Sequence, residues 1–358
     1  MTVRQDWYRL VPDEGVWRPT LSLVDVPWRG TGPTPEPEPE PEPEPDPDQP
    51  SPDVQHGTDL QRQMVGLEGA GVDPATLTAS GPIVTSSDGQ VIENLHVDAT
   101  GSDGTFGAIT VRHNNVRIRN CLVSHRQGRN GIRIDGNASG TRVEYCHLHG
   151  RYRTAPTGNT GSIGVLVNGP NATVLRCVFQ GGRDGIHLRG VGSRAFENWV
   201  IDLHFMGSVH NDSVVLLGRA GSSDIEVARN RALAGNSGGI DAYSWQGPNI
   251  DVRFFNNLIV GVGLGFGIYG GFEQPVGGLP NYHHDNRNFR IEGNRFEGTF
   301  RFPDTLGEGS NAATNLSQPG NTFVNNRWLE GWGDHTVDLP ARCGVRQDAC
   351  ESDWTTGT

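Results

Sequence analysis

The sequence contains no lysine, so all 29 of its basic residues are arginine. No apolar run approaches the roughly 18 residues that a membrane-spanning helix needs, which excludes a helical transmembrane protein. The first fifteen residues lack an apolar core followed by small residues, so we expect no classical secretory signal. Basic residues form no cluster and the formal net charge is -12, which argues against a nucleic-acid-binding protein.

Glycine, by contrast, is abundant. It accounts for 50 of the 358 residues, which is about 14% and twice the usual fraction. The glycines follow no Gly-X-Y period, so the surplus does not indicate collagen, and the apolar content outside residues 31–57 is too ordinary for wholesale disorder.

Composition divides the N-terminal part of the chain. Residues 1–30 form a predicted docking segment, because they are too few to bury a core of their own and yet carry large aromatic side chains. These aromatic residues are Trp7, Tyr8, Trp17 and Trp28. In residues 31–57 proline alternates with acidic residues, which predicts a stiff, extended polyproline II linker.

Two further segments flank the central region. Residues 58–87 are predicted to form a capping helix and first turn, since Leu60, Met64 and Leu67 share one helical face that could cover the first coil of a solenoid. Residues 331–358 form a C-terminal tail containing Cys343 and Cys350, for which a local disulfide and two free thiols both remain open.

Residues 88–330 repeat a six-residue pattern with an apolar residue at its first and sixth positions. The fourth position is Cys, Trp or Asn, except that the first instance has Leu95 there. The nine instances begin at Ile92, Ile118, Val143, Val174, Phe196, Val227, Phe254, Ile291 and Phe323. Their mean period is about 29 residues, in the range typical of stacked supersecondary units. A second strand pattern usually follows a glycine within a unit, as in residues 131–134, 164–167 and 185–188.

No helical pattern separates these strands, so the sequence predicts an all-β protein. It resembles the right-handed parallel β-helix of the pectate-lyase-like superfamily over roughly residues 80–330. The fold expected is a right-handed single-stranded parallel β-helix solenoid of about nine coils. Cys121, Cys146 and Cys177 would then stack inside as free thiols, and Trp199 would continue their column, followed by Asn230, Asn257 and Asn294.

Outward positions of the second strand supply the candidate site. Asp184 and Asp212 precede the apolar pair in neighbouring coils, so we expect them one strand spacing apart, with His210 and Asp241 near them. Close carboxylates can divide acid and base roles, which makes these four residues candidate catalytic groups. The opposing interpretation is that an aspartate before a strand only caps its own backbone.

Candidate substrate-binding residues occupy the same flank. Aromatic rings stack on sugar rings while charged groups bind the hydroxyls, so this mixture favours a carbohydrate surface. The residues are Arg133, Arg183, His187, Arg189, Tyr243, Trp245 and Tyr269. The run Tyr282-His283-His284-Asp285 is interpreted as a surface loop, and we expect no metal and no cofactor.

The whole layout resembles minor tail proteins, tailspike-like or receptor-binding, of phages that infect actinobacteria. The resemblance implies a virion-borne protein that binds host cell-surface glycan, contacts other tail proteins through residues 1–30, and forms a homotrimer. The carboxylate and Arg motifs of pectate lyases and the paired-Asp motif of polygalacturonases have no clear match. An adhesin, a phage depolymerase or lyase, an extracellular bacterial polysaccharide enzyme and a purely structural protein therefore stay open.

Overall fold

The computed structural model describes residues 53–101, 107–126, 128–151, 162–203, 211–219, 223–234, 238–246, 249–262, 266–269, 286–299, 313–314 and 320–328. They lie in one compact unit, Pro50–Thr358. The docking segment, most of the linker and the C-terminal tail with Cys343 and Cys350 lie outside the described residues.

The described residues form the predicted right-handed parallel β-helix, in which each coil adds one strand to each of three parallel sheets. Sheet A contains β1 (Thr78–Ser80), β4 (Leu95–Asp98), β7 (Leu122–Arg126), β10 (His147–Arg151), β13 (Val178–Gly182), β16 (Trp199–Leu203), β19 (Arg231–Ala234), β22 (Leu258–Val262), β25 (Arg295–Thr299) and β28 (Arg327–Trp328). Sheet B contains β2 (Ile83–Val84), β5 (Gly107–Val111), β8 (Asn130–Ile134), β11 (Ile163–Val167), β14 (Asp184–Leu188), β17 (Asp212–Arg219), β20 (Gly238–Gln246), β23 (Phe266–Tyr269) and β26 (Ala313–Thr314).

Sheet C supplies the strand with which each repeat begins. Its members are β3 (Val91–Glu93), β6 (Arg117–Arg119), β9 (Arg142–Glu144), β12 (Thr173–Leu175), β15 (Arg194–Phe196), β18 (Ser223–Ala228), β21 (Ile250–Phe255), β24 (Arg290–Glu292) and β27 (Thr322–Val324). Helical structure in the described part is limited to α1 (Gly66–Gly69) and two 3₁₀ turns, Arg62–Met64 and Pro74–Thr76. None of these helices is long and apolar enough to cross a membrane.

Alternate side chains of each strand point into the tube and stack in columns from coil to coil. One such column on sheet B is fully apolar and runs through Ile109, Ile132, Val165, Ile186, Val214, Ile240 and Ile268. All of its members are buried. The period-2 pattern therefore fixes which side chains of sheet B face outward, because a slip of one residue would reverse both faces.

The fifth repeat departs from the predicted register by one residue. Ala195, not Phe196, pairs with Val174 and Val227, so Asn198 takes the inward position that the sequence assigned to Trp199. The segment Ala195–Trp199 fits the pattern in both registers, and the larger aromatic residues suggested the wrong one. Outside the tube, the Arg229 guanidinium lies 5.2 Å from the Phe196 ring centre, and that of Arg231 lies 4.7 Å from the Trp199 ring centre.

The inward polar column runs through the predicted cysteines and then through five asparagines. Cys121, Cys146 and Cys177 are buried free thiols, as predicted, and each donates its S–H to the carbonyl of a residue in the preceding coil. Burial raises the pKa of the Cys146 thiol. The asparagines that follow are Asn198, Asn230, Asn257, Asn294 and Asn326, linked from coil to coil by side-chain hydrogen bonds.

Residues 53–69, here called the strap, do not cap the first coil. His56 Nε2 donates to the carbonyl of Gly293 at 2.8 Å, and the backbone N–H of Gly66 donates to the carbonyl of Arg176 at 2.7 Å. The strap therefore runs along the flank of the solenoid across the later coils. Its apolar residues Val54, Leu60 and Val65 pack on Val178, with Met64, Trp199 and Ile201 at the margin of this cluster. The predicted helix is broken because Gly66 is left-handed (φ 60°). The outward-facing apolar side chains of sheet A provide the surface on which the strap packs.

Candidate functional site

The outer face of sheet B carries the candidate residues in a single register. One outward column runs through Thr110, Arg133, Leu166, His187, Val215, Asp241 and Tyr269. Arg133, His187, Asp241 and Tyr269 therefore share this outward column, as predicted, with Leu166 and Val215 on the coils between the first three. Neighbouring strands lie about 4.8 Å apart, so these positions form a straight row along the solenoid axis.

Asp184 and Asp212 also lie in one column, at the starts of β14 and β17, as the sequence predicted. Each carboxylate reaches the next coil: Oδ1 of Asp184 accepts the backbone N–H of Asp212 at 3.4 Å, and Oδ1 of Asp212 accepts that of Gly238 at 2.8 Å. Both residues are at most 4% exposed. These bonds satisfy backbone groups at strand starts, which is the structural role weighed against catalysis above.

Gly238 also brings the third carboxylate into this cluster. A Cβ atom at Gly238 would lie 1.6 Å from Oδ1 of Asp241, so the glycine is what gives the Asp241 side chain its place. Asp241 is fully buried. The structure therefore gathers Asp184, Asp212 and Asp241 around the starts of three successive sheet B strands.

Asp184 is held as a carboxylate by two neighbours. Its Oδ2 accepts hydrogen bonds from Nε of Arg183 at 2.9 Å and Nε2 of His187 at 2.8 Å. Burial opposes the charge, but the Arg183 guanidinium and the hydrogen bond from His187 outweigh it and lower the pKa of Asp184. An aspartate with a lowered pKa suits the role of base or nucleophile and not that of general acid.

His187 is the neutral partner in this pair. Burial lowers its pKa, although the hydrogen bond to Asp184 acts in the opposite direction. Since Nε2 donates its proton to Asp184, Nδ1 carries the lone pair, and this buried atom accepts no hydrogen bond within the described structure. The pair therefore presents one basic nitrogen beside an ionised carboxylate.

A second histidine, which the sequence analysis missed, lies at the corner between sheets A and B. Nδ1 of the buried His125 lies 3.1 Å from Oγ of Ser162. The carbonyl of Ser162 accepts the backbone N–H groups of both Arg183 and Asp184, which connects this corner to the carboxylate cluster. Burial lowers the pKa of His125 to about 4. The sequence did contain a signal for this position, the alternation of inward and outward side chains along a strand. His125 comes two residues after Val123 and four after Cys121, which both face inward, so it also faces inward.

Solvent reaches the other end of the same face. The side chain of Arg133 is 32% exposed and its Nε lies 2.7 Å from Oδ1 of Asp135. Arg112 is 47% exposed and approaches the other oxygen of Asp135 at 3.6 Å. Sequence reasoning identified Arg133 but missed Arg112 and Asp135, which directly follow their strands and continue the outward alternation by one step.

The side chains of several predicted site residues lie outside the described part of the structure. His210 and the run from Tyr282 to Asp285 lie outside the described residues. For Tyr243, Trp245 and Tyr269 the structure defines only the strand positions, in β20 and β23. Across the ranges that the structure describes, no group of three or more His, Cys, Asp or Glu side chains is arranged to hold a metal ion.

No protein-family model and no curated protein matches the chain. Among solved structures it is similar to the tailspike protein of E. coli bacteriophage HK620 in complex with a pentasaccharide, with 16% identity, a TM-score of 0.44, and coverage of 63% of this chain and 40% of the tailspike chain. A mutant of that tailspike in the same kind of complex gives 12% identity, a TM-score of 0.38 and coverage of 72% and 50%. The chain thus spans 40 to 50% of the length of these two chains.

Proposed function

We propose that this protein is a phage minor tail protein of the receptor-binding type, which recognises a polysaccharide on the host cell surface with the outer face of sheet B. The observation that carries the proposal is the outward row of sheet B, which carries Arg133, His187 and Asp241 in register on every second coil and whose face is open to solvent at Arg112 and Arg133. A parallel sheet holds such a row without loop motion, so little ordering entropy is lost on binding.

The chemistry of the face suits a sugar polymer. Arginine and carboxylate side chains form charge-assisted hydrogen bonds with hydroxyl groups, and the strand positions of Tyr243 and Tyr269 add aromatic residues in neighbouring coils. Polar positions that recur on every second coil, about 10 Å apart, match a ligand that is itself a repeating chain. The aromatic residues 1–30 and the acidic linker are the basis for assigning tail attachment and a virion location. The absence of lysine favours an actinobacterial host, and the homotrimer is what the resemblance to phage tail proteins implies.

A second candidate function is polysaccharide cleavage. It is favoured by the Asp184–His187 pair, in which an ionised carboxylate lies beside a neutral imidazole whose buried Nδ1 has no partner within the described structure. In this version Asp184 is the base or nucleophile, because its pKa is lowered, and Asp212, Asp241 or His210 supplies the acid.

One experiment separates the two functions. The full chain is incubated with envelope polysaccharides from candidate actinobacterial hosts, and both retention and new reducing or unsaturated ends are measured. Retention without product supports the adhesin. Product that is lost in Asp212→Asn, while retention persists, supports the enzyme, and the absence of both retention and product refutes the proposed function.

A further inference from the structure

Each strand of sheet C is followed by one corner residue, at which the chain turns towards sheet A. The corner residues share a left-handed backbone, with φ between 50° and 70°. Five corners carry Asn or Gly, which adopt this conformation most readily, namely Asn94, Asn120, Asn256, Gly293 and Asn325. The four successive corners between Asn120 and Asn256 carry larger side chains instead, namely Tyr145, Arg176, Glu197 and Arg229.

These four corners therefore hold residues that disfavour their backbone conformation. Strain of this kind persists where the side chains have a role that an asparagine could not fill. The four residues follow β9, β12, β15 and β18, which are neighbours in sheet C, so their side chains project from adjacent coils.

The four side chains form one connected network. Nη1 of Arg176 donates to the Tyr145 hydroxyl at 2.8 Å, and its Nε donates to Oε2 of Glu197 at 2.7 Å. The other oxygen of Glu197, Oε1, accepts Nε of Arg229 at 3.2 Å. The side chain of Glu197 is fully buried, and it joins two guanidinium groups from the coils on either side.

Aromatic rings cover the faces of both guanidinium groups. Cζ of Arg229 lies 5.2 Å from the Phe196 ring centre and 5.7 Å from that of Phe255. Cζ of Arg176 lies 5.7 Å from the Tyr145 ring centre. A guanidinium group stacked on rings directs its N–H donors outward in its own plane, where they can pair with planar or tetrahedral groups of oxygen atoms.

Each guanidinium group has one donor left over. Nη2 of Arg176 and Nη2 of Arg229 are buried, and neither atom has a hydrogen-bond partner within the described residues. The side chain of Arg229 is only 5% exposed, whereas that of Arg176 is 16% exposed and connects the network to solvent. Because a buried charged donor is costly to leave unpaired, such atoms indicate a position for a bound ion.

We propose that this corner network binds a small oxyanion, with the Nη2 groups of Arg176 and Arg229 as its donors. Guanidinium N–H groups pair with the oxygens of phosphate and carboxylate groups, so these two groups are the ligand class. The site goes beyond the proposed function, because it lies at the corner between sheets C and A and not on the sheet B face assigned to polysaccharide.

Thermal denaturation of the full chain tests the proposal. Sodium phosphate or sodium acetate replaces sodium chloride at constant ionic strength. We expect a saturable rise in melting temperature with at least one of the two anions, since a ligand that binds only the folded chain stabilises it. A rise with phosphate alone identifies a phosphate site, and a rise with acetate alone identifies a carboxylate site.

Arg229→Asn connects this response to the network. It removes one donor and leaves Glu197 paired with Arg176, and asparagine suits the left-handed corner. The affinity for the effective anion, measured from the concentration dependence of the melting temperature, should fall about tenfold or more. The control is Arg194→Gln, which removes a sheet C arginine paired with Asp224 and should change this affinity less than about twofold.

A triple variant keeps the test decisive if the single substitution perturbs folding. Arg176→Asn, Glu197→Asn and Arg229→Asn together leave no buried charge of the network unpaired and give these corners the residue found at Asn120 and Asn256. This variant should fold and show no response to either anion. A response that persists in the triple variant, or a native chain without any response, overturns the proposal. Both outcomes leave the proposed function of sheet B standing.

Discussion

Asn198 and Asn230 lie in adjacent coils and are joined by two hydrogen bonds. Oδ1 of Asn230 accepts the backbone N–H of Asn198 at 2.9 Å and its side-chain N–H at 3.0 Å. The same arrangement recurs between each later pair of asparagines as far as Asn326. The ladder therefore satisfies a column of buried amides without water, and it fixes the stacking of the coils that carry the candidate site.

Asn257→Ala tests the contribution of this ladder. The substitution removes the acceptor of the Asn230 N–H groups and the donor to the Val227 carbonyl, leaving buried polar atoms without partners. We expect the free energy of unfolding to fall by at least about 2 kcal/mol, measured by urea denaturation. Asn137→Ala, at an exposed position, should change it by no more than about 0.5 kcal/mol. Equal effects of the two variants would contradict a structural ladder.

Gly238→Ala tests the carboxylate cluster. The new methyl group would lie 1.6 Å from Oδ1 of Asp241, so that carboxylate must move. We expect a lower melting temperature and weaker polysaccharide retention by the full chain. The matched control is Gly136→Ala, where the nearest atom, the carbonyl oxygen of Asn168, is 3.9 Å away. If the variant retained polysaccharide as strongly as the native chain does, the carboxylate cluster would not be part of the binding surface.

Gly57→Ala tests the docking of the strap. A Cβ at this position would lie 2.3 Å from the carbonyl oxygen of Asn230 and 2.5 Å from the backbone nitrogen of Leu258, and neither atom can yield easily. We therefore expect the strap to be released and cleaved within residues 53–66 by a protease that spares the native chain. Gly81→Ala meets no atom within 4 Å and should leave the digestion pattern unchanged. Protection of the strap in Gly57→Ala would argue against the docked position.

Stability should fall as the pH falls from about 6.5 to about 4. Burial lowers the pKa of His125 and of His147 to about 4, so in this range the unfolded chain binds protons that the folded chain does not. Each histidine can contribute up to about 2 kcal/mol to the loss between pH 7.5 and pH 5. Below that range the lowered pKa of Asp184 acts in the same direction.

Urea denaturation at pH 7.5 and pH 5.0 measures this effect. His147→Gln should reduce the difference in unfolding free energy between the two pH values by about the contribution of one histidine. His113→Gln, at a half-buried position, is the control. A native chain with equal stability at both pH values would show that these histidines are not buried in the neutral form.

Repetition made most of the fold predictable. The anchors from Ile92 to Phe323 recur at coil spacing, and the alternation around Ile186 and Val214 identified the outward column that carries His187 and Asp241. The predicted register was wrong at Phe196, because Ala195 and Asn198 fit the same pattern one residue earlier in the sequence. The structure takes the earlier register, in which Asn198 continues the asparagine ladder to Asn230.

The sequence by itself determined the coil period, the buried thiol column and the alignment of Asp184 with Asp212, because each depends on local alternation that stacking merely repeats. The tertiary structure decided the burial of those aspartates, the pairing of Asp184 with His187, the contact of His125 with Ser162 and the path of the strap. The contact of His125 with Ser162 and the path of the strap join atoms 37 and 237 residues apart in the chain, the latter between His56 and Gly293. Asp184 and His187 are only three residues apart, but their burial comes from neighbouring coils. Such contacts arise from packing and hydrogen bonding between coils, which no short sequence pattern encodes.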